Sequence, residues 1–71
     1  MTREQIDNWF THHPPQDLTT INAYHAIREA GKQLALTILE HAPAGADRAA
    51  AIRKVRESVM TANAAIACEG K

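Results

Sequence analysis

The sequence is poor in the residues that usually hold a very small protein together. It has one cysteine and one each of tryptophan, tyrosine and phenylalanine among 71 residues. Cys68 has no partner within the chain, which excludes an intrachain disulfide framework and fits a reducing compartment. The core of so short a chain rarely supplies more than about 5 kcal/mol on its own. We therefore expect residues 1–71 to form a single domain that associates with copies of itself.

Long apolar runs and excess charge are absent as well. No segment approaches the roughly 20 apolar residues that cross a bilayer, and Met1-Thr2-Arg3-Glu4 lacks the apolar stretch of a signal peptide. We expect a cytoplasmic protein without a membrane partner. The formal net charge is zero, whereas non-specific DNA binding depends on a cationic surplus. A nucleic-acid polymer is therefore not the expected partner.

Two helices are predicted in the first half of the chain. Thr2 and Gln5 have capping-box spacing, which predicts a short helix from residue 2 to about 11 that His13-Pro14-Pro15 terminates. We expect its Trp9 and Phe10 to pack into the core. A second helix is predicted from about Leu18 to His41, capped by Thr20 or Asp17. Its predicted buried stripe consists of Ile21, Tyr24, Ile27, Gly31, Leu34 and Ile38.

The segment from Ala42 to Ala46 predicts a turn between antiparallel helices, with Asp47 as the next N-cap. A third helix is predicted from about Arg48 to Ala67, because apolar residues repeat there close to a heptad. The fold class is thus all-α, a short N-terminal helix followed by a long antiparallel helical hairpin.

Small side chains also allow close approach of helices. We therefore expect an intermolecular interface at the alanines of the third helix, which are Ala49, Ala50, Ala51, Ala62, Ala64, Ala65 and Ala67.

No motif in the sequence predicts catalysis or a metal. The four histidines show neither the HExxH spacing nor a neighbouring Cys/His cluster, so we expect no metal and no cofactor. No serine or cysteine stands beside a local base, so we do not expect an enzyme.

Two groups of residues could bind an anion. Tyr24 and Arg28 are one helical turn apart and could present a ring and a guanidinium to one ligand, with Lys32 one turn further. Alternatively, Tyr24 packs in the core and Arg28 covers it. The third helix is locally basic, and Arg48 lies near its N-terminus, where free amides attract phosphate. That basic run, which includes Arg53, could equally be a solvated face with i,i+4 ion pairs. A further alternative is that the chain is a small helical DNA-binding or regulatory protein that uses this run.

Three strings are more specific. These strings are Trp9-Phe10-Thr11-His12-His13-Pro14-Pro15, Tyr24-His25-Ala26-Ile27-Arg28 and Glu57-Ser58-Val59-Met60-Thr61-Ala62-Asn63-Ala64-Ala65-Ile66-Ala67. Together they resemble the phage anti-CBASS cyclic-oligonucleotide sponges of the second type. The resemblance implies a homo-hexamer of helical hairpins. It also implies sequestration, without cleavage, of cyclic dinucleotides such as cGAMP and of cyclic trinucleotides such as cyclic triadenylate. CBASS effectors in the infected bacterial cell would then stay inactive.

The resemblance also suggests site residues. His12 stands where members of the family often have a tyrosine that stacks on a base, and a histidine ring can still stack. Arg28 matches the arginine of the Tyr-x-x-Ile-Arg string, so the expected cyclic-dinucleotide site comprises His12, Tyr24 and Arg28. For the cyclic trinucleotide we expect Arg48 and Arg53, near the alanine-rich part of the third helix.

Overall fold

The computed structural model describes residues 1–15 and 17–70, and these are helical apart from short connections and the chain ends. The helices are α1 (Arg3–Trp9), α2 (Leu18–His41) and α3 (Ala46–Ala67). A short turn joins α2 to α3, which pack against each other as an antiparallel hairpin, and α1 folds back to the C-terminal end of α3. This arrangement confirms the predicted all-α hairpin. None of these helices combines the length and apolarity that crossing a membrane requires.

The first two helices begin with the caps that their sequences encode. The Thr2 hydroxyl accepts a hydrogen bond from the Gln5 amide at 3.1 Å, and the Gln5 side chain accepts one from the Thr2 amide at 2.8 Å. This capping box was predicted, although α1 ends at Trp9, earlier than expected. At the start of α2, an Asp17 carboxylate oxygen accepts from the Thr20 amide at 2.8 Å. Asp17 is therefore the N-cap, and Thr20 lies within the helix.

The start of α3 differs from the prediction. The helix begins at Ala46 with Gly45 as its N-cap, so the expectation of Asp47 in that role was wrong. Gly45 has a φ of 156°, a backbone conformation that glycine adopts readily because it has no Cβ atom. Asp47 instead lies in the first turn of the helix, where its negative charge is favourable beside the free amides.

The hairpin is packed most closely at Gly31. A Cβ atom placed on Gly31 would clash with a methyl group of Val59 and would lie 3.8 Å from a methyl group of Val55. The α2 backbone thus approaches the α3 side chains directly, as expected where a glycine faces a neighbouring helix. This contact also fixes the register, because it places Gly31 level with residues 55–59 of α3.

The buried stripe of α2 is narrower than predicted. Tyr24, Ile27, Gly31 and Ile38 are half-buried, but Ile21 and Leu34 are 47% and 52% exposed, so their assignment to the stripe was wrong. With about 100° of rotation per residue, both lie roughly 60–80° away from the direction of Gly31 and therefore at the edges of the contact.

The aromatic residues of the first helix are also more exposed than predicted. Trp9 is 49% and Phe10 is 85% exposed, so the expectation that both belong to the core was wrong for the single chain. The physical reason is that α1 is short and meets only the C-terminal end of α3. Phe10 follows the last residue of α1, and its ring projects into solvent.

The isolated chain has little interior. Of the described residues only Cys68 is buried, at 8% exposure. The radius of gyration is 14.9 Å, whereas a compact domain of this length would have about 11 Å. The molecule is a flat slab, 43 × 30 × 15 Å, whose large apolar side chains remain partly in water.

Candidate ligand-binding site

A polar pocket lies at the open end of the hairpin, where the connection after α1 meets the start of α2 and the end of α3. Its volume is about 160 Å³, less than the roughly 300 Å³ of a small-molecule site, so it can accommodate only part of a nucleotide. It is lined by His13, Pro14, Asp17, Thr20, Tyr24, Ile66, Ala67 and Glu69. We call this the open-end pocket.

The wall of the pocket at His13 is held in place through Asn8. The backbone carbonyl of Asn8 accepts a hydrogen bond from Nε2 of His13 at 2.7 Å and another from the Cys68 thiol at 3.8 Å. The Asn8 side-chain amide donates to the Cys68 carbonyl at 3.5 Å. Because a carbonyl can only accept, Nε2 of His13 must carry a hydrogen. These contacts tie α1, the proline segment and the end of α3 together.

Asp17 gives the pocket a negative wall. The pKa of its carboxyl lies below the ordinary value, because the Thr20 backbone amide and then the Thr20 hydroxyl donate hydrogen bonds to the ionised form. Asp17 is therefore an anion at neutral pH and can only accept hydrogen bonds. The open-end pocket suits the N–H groups of a base or the hydroxyl of a sugar better than it suits a phosphate.

The residues predicted for the cyclic-dinucleotide site occupy different positions around this pocket. Tyr24 is half-buried and lines it. Arg28 lies one turn further along α2 and is exposed, outside the lining. His12 is exposed and does not line the pocket, whereas its neighbour His13 does. Pro14 restricts the backbone of His13 to extended geometry, but the hydrogen bond to the Asn8 carbonyl orients the ring, and no local pattern in the sequence contains that contact.

Arg48 and Arg53 lie elsewhere on the hairpin. Arg48 donates from its guanidinium to the carbonyl oxygens of Leu39 and Ala42, at 3.4 and 3.5 Å, and so satisfies the free C-terminal carbonyls of α2. Arg53 is exposed on α3. Leu39 is separated from Tyr24 by roughly 22 Å along α2, given a rise of 1.5 Å per residue. The structure does not bring Arg48 to the open-end pocket.

Two apolar grooves are left uncovered. The larger has a volume of about 560 Å³ and is lined by Trp9, Met60, Thr61, Ala64, Ala65, Cys68 and Gly70. The smaller, of about 250 Å³, runs along the helix contact and is lined by Ile27, Ala30, Gly31, Leu34, Val55, Ser58 and Val59. Across residues 1–15 and 17–70, no three histidine, cysteine, aspartate or glutamate side chains come close enough together to bind a metal.

Comparison with protein families identifies the family of this helical hairpin. A family model described as "Acb2/Tad1, hairpin domain" matches residues 2–67. The chain belongs to this family. Membership implies an anti-defence role of the cyclic-nucleotide sponge type, in which a binding protein captures a signal, and the predicted resemblance is thereby confirmed. Comparison with curated proteins and with solved structures gives no match.

Proposed function

We propose that the chain is a phage protein that binds and sequesters cyclic di- and trinucleotide second messengers without cleaving them. It acts in the cytoplasm of the infected bacterial cell and prevents activation of CBASS effectors. The observation that carries this proposal is the family match over residues 2–67. Binding alone requires no cofactor, because no bond in the ligand is broken.

The exposed surface supports assembly, and we propose a homo-hexamer. The chain exposes 5814 Å², about 1400 Å² more than the roughly 4400 Å² expected for a folded protein of this mass. A standard interface covers about 800 Å² of each partner, so the excess corresponds to nearly two interfaces for each protomer. The two apolar grooves and the exposed Phe10 ring provide surface for them.

A symmetric assembly suits a ring-shaped ligand. A cyclic dinucleotide has two phosphates and two bases in an approximately two-fold arrangement, so a two-fold interface offers it the same residues twice. We propose that each protomer contributes His12 and Tyr24 to the bases and Arg28 to a phosphate. A cyclic trinucleotide matches a three-fold axis in the same way, and we assign Arg53 and Arg48 to that site.

Titration calorimetry of the purified protein against cyclic dinucleotides and cyclic trinucleotides tests this proposal. We expect heat of binding, with a number of ligands bound per protomer that is a simple fraction. Native mass measurement on the same sample should give six copies. A linear dinucleotide of the same bases that carries a terminal phosphate is the control, because it has two bases and two phosphates without the ring and should bind more weakly.

The fate of the ligand separates a sponge from an enzyme. After incubation and heat denaturation of the protein, chromatography should recover the cyclic nucleotide intact. Appearance of a linear product would contradict sequestration. Absence of binding to every cyclic nucleotide tested would overturn the proposed function.

A further inference from the structure

Four cationic side chains lie exposed in the middle of the hairpin without an ionic partner. Arg28 and Lys32 belong to α2, and Arg53 and Arg56 belong to α3. None of the four lies within ion-pair distance of an acidic side chain in the described part of the chain. Their charges are therefore available to a ligand.

Helical geometry places these four residues on one face. At about 100° per residue, Arg28 and Lys32 are rotated about 60° and 100° from the direction in which Gly31 faces α3. Arg56 and Arg53 are rotated about 60° and 120°, in the same sense, from the direction in which Val59 faces α2. Because the helices are antiparallel, equal senses of rotation lead to the same face of the hairpin. We call this set the cationic face.

The register brings the two helices' charges level with each other. Gly31 meets Val59 and Val55, so Lys32 is level with Arg56 on the other helix. Axes of packed helices are about 8–10 Å apart, and one turn along a helix is about 5.4 Å. The cationic face is therefore a compact patch, comparable in size to a small dianion and not to the track of a polymer.

The distribution of acidic residues makes this patch unusual. The chain has eight acidic and eight basic residues, so its charges could alternate. Glu29 and Glu57 are rotated about 160° in the same sense, so they border the patch near Lys32 and Arg53, whereas no acidic residue stands three or four positions from Arg28 or Arg56. The pair Arg28 and Lys32 is a like-charge i,i+4 pair, which slightly destabilises a helix. The absence of an acidic neighbour beside Arg28 and Arg56 favours an anion as their missing partner.

We propose that Lys32 and Arg56 form a cross-helix phosphate site of the cyclic-nucleotide ligand, adjoining Arg28. This inference rests on the proposed function. Tyr24 in the open-end pocket is two turns from Lys32 along α2, about 12 Å. A base or sugar therefore enters the pocket beside the anionic Asp17, while the phosphates lie on the cationic face. Arg56 and Lys32 thus contribute the charge that the pocket itself lacks.

The test uses the full-length chain with Lys32→Gln and Arg56→Gln, singly and together. Glutamine keeps a good helix propensity and removes only the charge from exposed positions. With cyclic GMP–AMP as the probe, calorimetry should show at least a tenfold increase in Kd for each variant. The slope of log K against log salt concentration should become shallower, because fewer phosphate contacts are made. Lys32→Arg keeps the charge and should restore most of the affinity.

Lys54→Gln is the matched control. Lys54 lies on the same stretch of α3 but is rotated about 140° in the opposite sense, so its loss should change Kd by less than twofold. An effect as large as that of Arg56→Gln would overturn the proposal, because it would show a response to overall charge alone.

The remaining outcomes are distinct. If the unmodified protein binds no cyclic nucleotide, the proposed function fails and this inference fails with it. If it binds and both glutamine variants bind equally well, only the cross-helix site is wrong. If a single-stranded oligonucleotide competes as strongly as cyclic GMP–AMP, the cationic face serves a polymer and the proposal is overturned.

Discussion

Replacing Gly31 with alanine should push the two long helices apart. The new Cβ would clash with a methyl group of Val59, and valine in a helix has essentially one rotamer, so it cannot turn away. Overpacking of this kind costs about 1–3 kcal/mol, while alanine regains about 1 kcal/mol of helix propensity over glycine. We expect a net destabilisation of about 1 kcal/mol.

Thermal melts at one fixed protomer concentration measure this effect, since association makes the melting temperature depend on concentration. A loss of 1 kcal/mol lowers Tm by roughly 4–8 °C in a domain of this size. The decisive variant is Gly31→Ala combined with Val59→Ala, which removes the clashing methyl. In that background only the gain in helix propensity remains, so the Gly31 substitution should stabilise the protein by about 1 kcal/mol, giving a coupling energy of about 2 kcal/mol.

Val55→Ala is the control for this cycle. Its methyl would lie 3.8 Å from the new Cβ, an ordinary contact, so removing it should not rescue Gly31→Ala. Equal melting temperatures for Gly31→Ala and the unmodified protein, with no coupling to Val59, would refute the close approach of α2 and α3 at this position.

Four further variants test other parts of the molecule. His12→Ala and Arg28→Ala should each raise the Kd for cyclic dinucleotides, while the native mass of the assembly stays unchanged. For His12 the expected loss of binding free energy is about 1–3 kcal/mol, the value for a stacked base. His41→Ala, at the far end of α2, is the control and should have no effect. Asn8→Ala removes a side-chain hydrogen bond to α3 worth about 0.5–1 kcal/mol, so limited proteolysis between α1 and α2 should accelerate. Asp17→Asn should lower Tm at pH 7 but not in strong acid. The Asp17 pKa is lowered from 3.8 in the folded state, so its contribution exists above that value and disappears as pH falls through the folded pKa.

The sequence predicted the fold well because the hairpin depends on regular spacing. The threes and fours between Tyr24, Ile27, Gly31 and Ile38 define one face of a helix, and these residues are half-buried as predicted. The spacing could not locate the edges of that face, since Ile21 and Leu34 fit the same pattern. Their exposure depends on the width of α3, whose small side chains cover only a narrow strip.

The site was predicted less completely, for a different reason. The helical position of Tyr24 is set by local spacing, and Tyr24 lines the open-end pocket, while its contact with a ligand stays a prediction. The role of His13 depends on a hydrogen bond to the carbonyl of Asn8 and on the nearby end of α3, which no local pattern contains. Arg48 was assigned from its charge and its position near the start of α3, and only the structure shows its guanidinium donating to carbonyls at the end of α2.

The thinness of the molecule links its stability to its function. A slab 15 Å thick cannot enclose a ligand with two bases and two phosphates, and the larger of the two apolar grooves is open to solvent beside Trp9. The open-end pocket carries an anionic carboxylate, while the unpaired cations lie outside it on α2 and α3. Enclosing a phosphodiester ring therefore needs a second surface, and burying the exposed apolar side chains needs one too. Contacts between copies can meet both requirements on different faces of the hairpin, because Ala30 and Ser58 place the smaller apolar groove on the side opposite to Lys32 and Arg56.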